Sequence, residues 1–148
     1  MSLSNKACVQ INQAVFSMAN AYRTKMQRDG VVDATGLSLP DRSTLMVLGQ
    51  SSPTTARNLS KAMDINPGTI SVYVQRLVEK GLVTRFQDEQ DRRTWRLSLT
   101  QDGEVAYQNT LTGAAAYTRQ FLGPLTDKEQ TAFHQILLKI TAELGYEW

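Results

Sequence analysis

The chain has 148 residues, with 16 Lys and Arg against 14 Asp and Glu, one histidine and one cysteine. That length suits one domain, or one compact lobe with added helices, and a net charge of +2 is too mild to imply a nucleic-acid partner by itself. A lone Cys8 excludes an intramolecular disulfide framework, no stretch approaches the ~20 apolar residues of a membrane span, and the polar start lacks a signal-peptide core, so a cytoplasmic protein with no membrane partner is expected.

From about Ser4 to Arg28, the residues Ile11, Ala14, Val15, Met18 and Tyr22 fall on one helical stripe. The segment is longer than a typical globular helix and needs another surface to cover it. Residues 30–36 read as a loop. Ser38 followed three residues later by Asp41 has the spacing of a capping box, opening a second helix with Leu45 and Leu48 on its buried side and Gly49 near its end. After the turn signals of Ser51, Ser52 and Pro53, a short third helix spans about Thr55 to Met63.

The fourth helix has both ends written in its residues. Asn66 is a ready N-cap, Pro67 sits at the first helical position where its missing N–H costs nothing, and Gly81 closes the helix after Lys80. Ile70, Val74, Leu77 and Val78 recur at helical spacing and belong to the core, which leaves Thr69, Ser71, Val72, Gln75 and Arg76 outward. With the third helix and the turn at Asp64 and Ile65, this makes a helix-turn-helix whose shared core is Leu59, Ile65 and Ile70; Asp64 tolerates the left-handed conformation such a turn can require.

Leu82 to Phe86 and Thr94 to Leu99 alternate apolar with polar or basic residues, with Val83 and Phe86 in the first segment and Trp95, Leu97 and Leu99 in the second. They read as two antiparallel strands. The connection QDEQDRR is too long and charged for a two-residue turn and is expected to project as a flexible loop carrying Arg92 and Arg93. Helix, strand, charged tip and strand make up the plan of a winged helix. Charge follows the same division: Arg57 to Arg96 holds eight basic and five acidic residues, whereas Leu97 to Trp148 holds three basic and six acidic.

Beyond the second strand, Thr100 and Gly103 begin a fifth helix reaching Phe121, broken by Gly123 and Pro124. Thr126 with Glu129 makes another capping box, and Phe133, Ile136, Leu137, Ile140 and Leu144 form an apolar stripe on the last helix. The fold class is therefore mainly α: a winged helix-turn-helix over residues 38–100 with a two-stranded wing, flanked by helices at 4–28 and 101–146. Long amphipathic helices at both ends of a compact reader suggest an isologous homodimer, which spaces two readers for a palindromic site.

Asp91, Arg93, Leu97, Leu99, Thr100 and Gly103 match the pattern D-x-R-x-x-x-L-x-L-T-x-x-G, which resembles the wing signature of the MarR (multiple antibiotic resistance regulator) family of transcription factors. The resemblance extends over nearly the whole chain, with specific motifs in its central third. It implies a dimeric regulator, here expected to be a repressor released by a small-molecule effector. The fourth helix, residues 66–80, would enter the major groove, where Ser71, Val72, Gln75 and Thr69 meet base edges. Arg57, Lys61 or Arg76 would meet phosphates, and the wing at 87–93 would carry Arg92 and Arg93 to the minor groove with Asp91 holding the arginine or the loop. A competing role for Arg76 is structural, its stem covering the helix and its head meeting Asp91 or Glu79. Val72 stands where many relatives carry a basic or polar residue, and offers apolar contact such as a thymine methyl.

Many members of that family respond to small aromatic or phenolic ligands bound between dimer helices and reading lobe, for which Phe16, Met18, Tyr22 and Met46 are the candidate lining. Cys8 supplies an alternative, because the organic hydroperoxide resistance regulators of the same family sense oxidants through a lone cysteine early in the first helix. A winged helix that docks protein without binding DNA is the alternative from another class. An enzyme is not expected: His134 has no metal-ligand spacing with another soft ligand, no phosphate loop or nucleophile elbow is present, and Asp88, Glu89 and Asp91 share their loop with two arginines. No cofactor or metal is expected.

Overall fold

A computed structural model describes residues 3–28 and 36–145; apart from Gly36, the expected loop at 30–36 lies outside them. Six helices and one two-stranded antiparallel sheet follow in the order α1 (Asn5–Arg28), α2 (Leu39–Ser51), α3 (Ala56–Met63), α4 (Pro67–Glu79), β1 (Val83–Gln87), β2 (Trp95–Leu99), α5 (Gln101–Phe121) and α6 (Asp127–Glu143). Each helix from α2 to α6 starts where a side chain can accept an orphan N–H. Ser38 takes Asp41, Thr55 takes Asn58, Asn66 takes Gly68, Thr100 takes Gly103 and Thr126 takes Glu129. Only the cap at Thr126 is completed as a reciprocal box, with Glu129 returning to the Thr126 backbone. At Ser38 the expected box is half made, because the Asp41 carboxylate turns to Arg76 instead.

The core is one cluster. Leu45 and Leu48 of α2, Leu59 of α3, Ile70, Val74 and Leu77 of α4, Val83 and Leu97 of the sheet, and Ala106 of α5 are all buried. Asp64 takes φ 50° and ψ 44°, the left-handed cap that ends α3 and turns the chain into α4. Ser60 Oγ reinforces the turn by donating to the Ile65 carbonyl at 2.6 Å. Gly81, at φ +72°, ends α4 in the same left-handed region, and the chain enters β1.

The hairpin register pairs Val83 with Leu99, Arg85 with Leu97 and Gln87 with Trp95. Paired residues share a face, so Val83, Arg85 and Gln87 lie with Leu99, Leu97 and Trp95, while Phe86 lies opposite beside Arg96. Val83 and Phe86, grouped in the sequence as one strand's apolar pair, are three positions apart and so point to opposite faces; Val83 is buried and Phe86 is 39% exposed. A short third rung, absent from the sequence reading, is supplied by Thr54 after α2. Its N–H donates to the Leu97 carbonyl at 2.9 Å and its carbonyl accepts from Leu97 at 2.7 Å, seating the wing root on the α2–α3 connection.

The flanking helices are built differently. Tyr22 near the end of α1 meets α5 edge-on, its ring 4.8 Å from Tyr117 and 5.6 Å from Phe121 between centroids. Apart from the half-buried Met18, the larger apolar residues of α1 before Tyr22 face outward, with Val9, Ile11, Val15 and Phe16 all at least half exposed, and α6 buries no residue.

Truncating Leu77→Ala, fully buried in α4, is expected to cost about 2–5 kcal/mol in urea unfolding. Gly103→Ala is expected to destabilise as well, because a β-carbon there would sit 1.9 Å from the Leu82 carbonyl oxygen; the same denaturation measurement checks it, and a wild-type midpoint would refute the close approach.

Candidate nucleic-acid interface

The outward side of α4 is polar at its start. Ser71 is exposed and its Oγ donates to the Pro67 carbonyl at 3.0 Å, Thr69 is half-buried beside it, and Val72 is 53% exposed. Gln75 is exposed and its Nε2 donates to Glu79 Oε1 at 2.9 Å. Arg57 and Lys61 stand exposed on the neighbouring α3. Four of the positions assigned outward from helical spacing, Thr69, Ser71, Val72 and Gln75, thus share one side, with Val72 as its apolar member.

Arg76 belongs to a different arrangement. Its Nε and Nη2 both donate to Asp41 Oδ1, at 2.8 and 2.7 Å, and its guanidinium lies 4.9 Å from the Tyr73 ring centre. The expected partners Asp91 and Glu79 are not the ones it meets. A carboxylate as buried as Asp41, at 3% exposure, needs a charged donor, and the half-buried Arg76 of α4 supplies it.

The wing tip corrects the expectation of a flexible loop, since two carboxylates tie it down. Asp88 Oδ1 accepts the N–H groups of Gln90 at 2.8 Å and Asp91 at 3.1 Å, while Asp88 Oδ2 accepts from Arg96 Nε. Asp91 Oδ1 accepts the Arg93 N–H at 3.0 Å and Asp91 Oδ2 accepts from Thr94 Oγ1 at 2.8 Å. Asp91 therefore holds the loop backbone. The exposed Arg92 and Arg93 guanidiniums make no hydrogen bond or ion pair among the described residues, and the tip presents them outward.

Sequence reasoning missed Asp88, Arg96, Arg85 and Trp95. Asp88 was visible as a charged residue, but its bond to Arg96 depends on the hairpin register. Arg85 and Trp95 line an open cleft of about 340 Å³ with Ala56, Ser71, Val74 and Leu97, between α3, α4 and the wing. Strand alternation was the available signal for their shared face.

The proposed effector residues do not converge. Met18 and Tyr22 line a cavity of about 320 Å³ with Thr118, Phe121, Leu122, Phe133, His134 and Leu137 of α5 and α6. Phe16 is 69% exposed on α1 and Met46 is half-buried in α2, and neither lines that cavity. Cys8 is exposed on the first turns of α1. No group of three or more His, Cys, Asp or Glu able to hold a metal occurs among the described residues.

The Arg96 guanidinium, followed by the Asp91 and Gln90 N–H groups, holds the Asp88 carboxyl below its ordinary value of 3.8. A depressed folded-state value means that the stabilisation is present above about pH 3.8 and is lost as pH falls through the lower folded value. Amide exchange across residues 88–94 is expected to be faster in Asp88→Asn than in wild type near neutral pH, allowing for intrinsic rates. The two should converge once the pH has fallen through that lower folded value, and equal protection at neutral pH would contradict the assignment.

The MarR family model matches residues 37–95, the span from the residue before the Ser38 cap to Trp95. The HTH-type transcriptional repressor MdtR of Bacillus subtilis is 29% identical over 82 residues, 55% of this chain and 53% of that protein, so the match spans about half the relative's length. The organic hydroperoxide resistance transcriptional regulator of the same organism is 25% identical over 105 residues, 71% of this chain and 67% of its own length. A MarR family protein from Bacillus stearothermophilus has the same fold over 98% of this chain and 100% of its own, with a TM-score of 0.83 at 19% identity. The two Bacillus subtilis relatives are regulators of transcription. With its capped helix-turn-helix, its carboxylate-held wing tip and the family match from before α2 to the start of β2, the chain carries a MarR-family winged helix-turn-helix over residues 37–95.

Proposed function

We infer that the protein is a sequence-specific, DNA-binding transcriptional regulator, and that it acts as a homodimeric repressor on a palindromic operator. The observation that carries this is the pairing of an exposed polar α4 face with a wing tip whose two arginines project while Asp88 and Asp91 hold its backbone. Ser71, Val72, Gln75 and Thr69 meet base edges in the major groove, Arg57 and Lys61 meet phosphates, and Arg92 and Arg93 enter the minor groove. Arg76 enters as the residue that orients α4 through Asp41.

Residues 38–100 serve as the reading lobe, and helices 4–28 and 101–146 make the dimer. The exposed apolar residues Ile11 and Val15 of α1, Ile136 and Ile140 of α6 and Leu144 at its C-terminal end support this, because a monomer rarely leaves two such stripes in water. A small aromatic or phenolic effector suits the cavity holding Met18 and Tyr22, whose wall is apolar with Thr118 and His134 as polar groups.

A thiol-based variant of the same function is favoured by the hydroperoxide-regulator relative and by the exposure of Cys8. On that reading stoichiometric organic peroxide releases DNA from wild type and not from Cys8→Ser; identical release by both removes the thiol from the mechanism.

The deciding experiment is selection from a pool of randomised duplexes at near-physiological salt, sequencing what the purified protein retains. A palindrome with half-sites about one helical turn apart is expected. No enrichment by folded protein would transfer the α4 face to protein docking. Arg93→Ala is expected to lose about 1–3 kcal/mol of affinity for the selected duplex without a change in melting temperature, and equal binding would refute the wing's role.

A further inference from the structure

The hairpin face that begins as core ends as something else. Val83 and Leu97, at 2% and 3% exposure, close the lobe, and the same face continues toward the tip with Arg85 and Trp95. Trp95 is 54% exposed, and the exposed Arg85 guanidinium has no hydrogen bond or ion pair among the described residues. Both line the cleft whose opposite wall is Ser71 of α4 and Ala56 of α3.

We propose that this cleft seats the sugar–phosphate strand that separates the major groove from the adjoining minor groove. Arg85 lies on a phosphate and Trp95 lies against the neighbouring deoxyribose. The inference rests on the DNA reading of α4 and the wing and adds a site to it. If the Ser71 side of α4 enters the major groove and Arg92 and Arg93 enter the next minor groove, the strand between those grooves must cross the gap between helix and wing. That gap is the cleft.

Its chemistry fits a phosphodiester strand. A guanidinium presents a fork of donors to the non-bridging oxygens, and its charge is never lost at working pH. An indole presents a broad apolar face to the sugar and keeps one N–H donor for a phosphate oxygen. Such contacts carry no base information, so they fix the lobe's register on any duplex and leave discrimination to α4. The wing then has two functions along its length: the tip reaches into the minor groove, and the strands behind it grip the backbone.

The test uses the full chain carrying Trp148→Phe, which leaves Trp95 as the only indole, against the selected duplex and against sonicated genomic DNA. Binding of either DNA is expected to change Trp95 emission and shield it from acrylamide. Arg85→Ala is expected to lower the log–log salt slope by about one, on both DNAs alike. Trp95→Ala is expected to weaken binding roughly tenfold, with Trp95→Phe close to wild type. Should Trp95→Ala fail to fold, the Arg85→Ala slope and the emission of the intact Trp95 decide. Wild-type affinity and slope in Arg85→Ala, or Trp95 emission indifferent to saturating DNA, would overturn the cleft assignment while Arg93→Ala still loses binding and the DNA reading stands. Failure of the parent chain to bind either DNA, alongside capture of an acidic peptide through Arg85, would overturn both.

Discussion

The Asp41 carboxylate is the constraint from which the reading lobe takes its geometry. It sits in the first turn of α2, its side chain 4% exposed, and its charge is met by Arg76 of α4, thirty-five residues on. Removing Arg76 would leave the buried Asp41 charge without compensation, which is costly, whereas the intact pair adds little net stability. Its contribution is orientation. With Nε and Nη2 both on one oxygen and the guanidinium against Tyr73, α4 has little freedom to rotate about its axis, so the polar face from Thr69 to Gln75 is held in one direction. The residue that looked like a further surface cation thereby has its charge met by Asp41, and the unpaired positive charge near the α4 face lies on Arg57 and Lys61 of α3 and on the wing tip.

Much of the lobe was readable in advance because its boundaries are chemical. Asn66, Pro67 and Gly81 bracket α4, Thr126 and Glu129 open α6, and the left-handed turn falls on Asp64. What escaped reading depends on partners distant in the chain. Arg76 and Asp41 have no sequence signal joining them, and Asp88 meets Arg96 only after the hairpin register is set. Trp95 shows a third kind of limit: alternation says which face a strand residue takes, but not where along the strand the covering lobe ends. The same limit applies to Phe16 and Met18, neighbours on one helix that differ in whether α5 and α6 lie over them.

The two halves of the chain differ in how their apolar surface is used. Within the lobe, Leu45, Leu48, Leu59, Ile70 and Leu77 are shielded by one another, so the helix-turn-helix and the wing root carry their own core. In α1 and α6 the stripes are equally regular and the side chains equally large, yet most stay in water; Tyr22 meets Tyr117 and Phe121 of α5, and Met18, Phe133 and Leu137 line the cavity beside them. Regular amphipathic spacing records that a helix has a partner and is silent on whether the partner is in the same chain.

The junction between wing and α5 leaves almost no slack. Thr100 binds Leu82 through its N–H and Gly81 through its hydroxyl, and Gly103 is glycine because the Leu82 carbonyl occupies the space a β-carbon would take. The first turn of α5 is thus bolted to the base of β1. From there the helix extends for 21 residues, about 30 Å, to the cavity wall at Thr118 and Phe121, packing on α2 on the way, where the Tyr107 ring fills the space a β-carbon on Gly49 would take. One continuous helix is thus the shared strut of the wing root, α2 and the cavity wall.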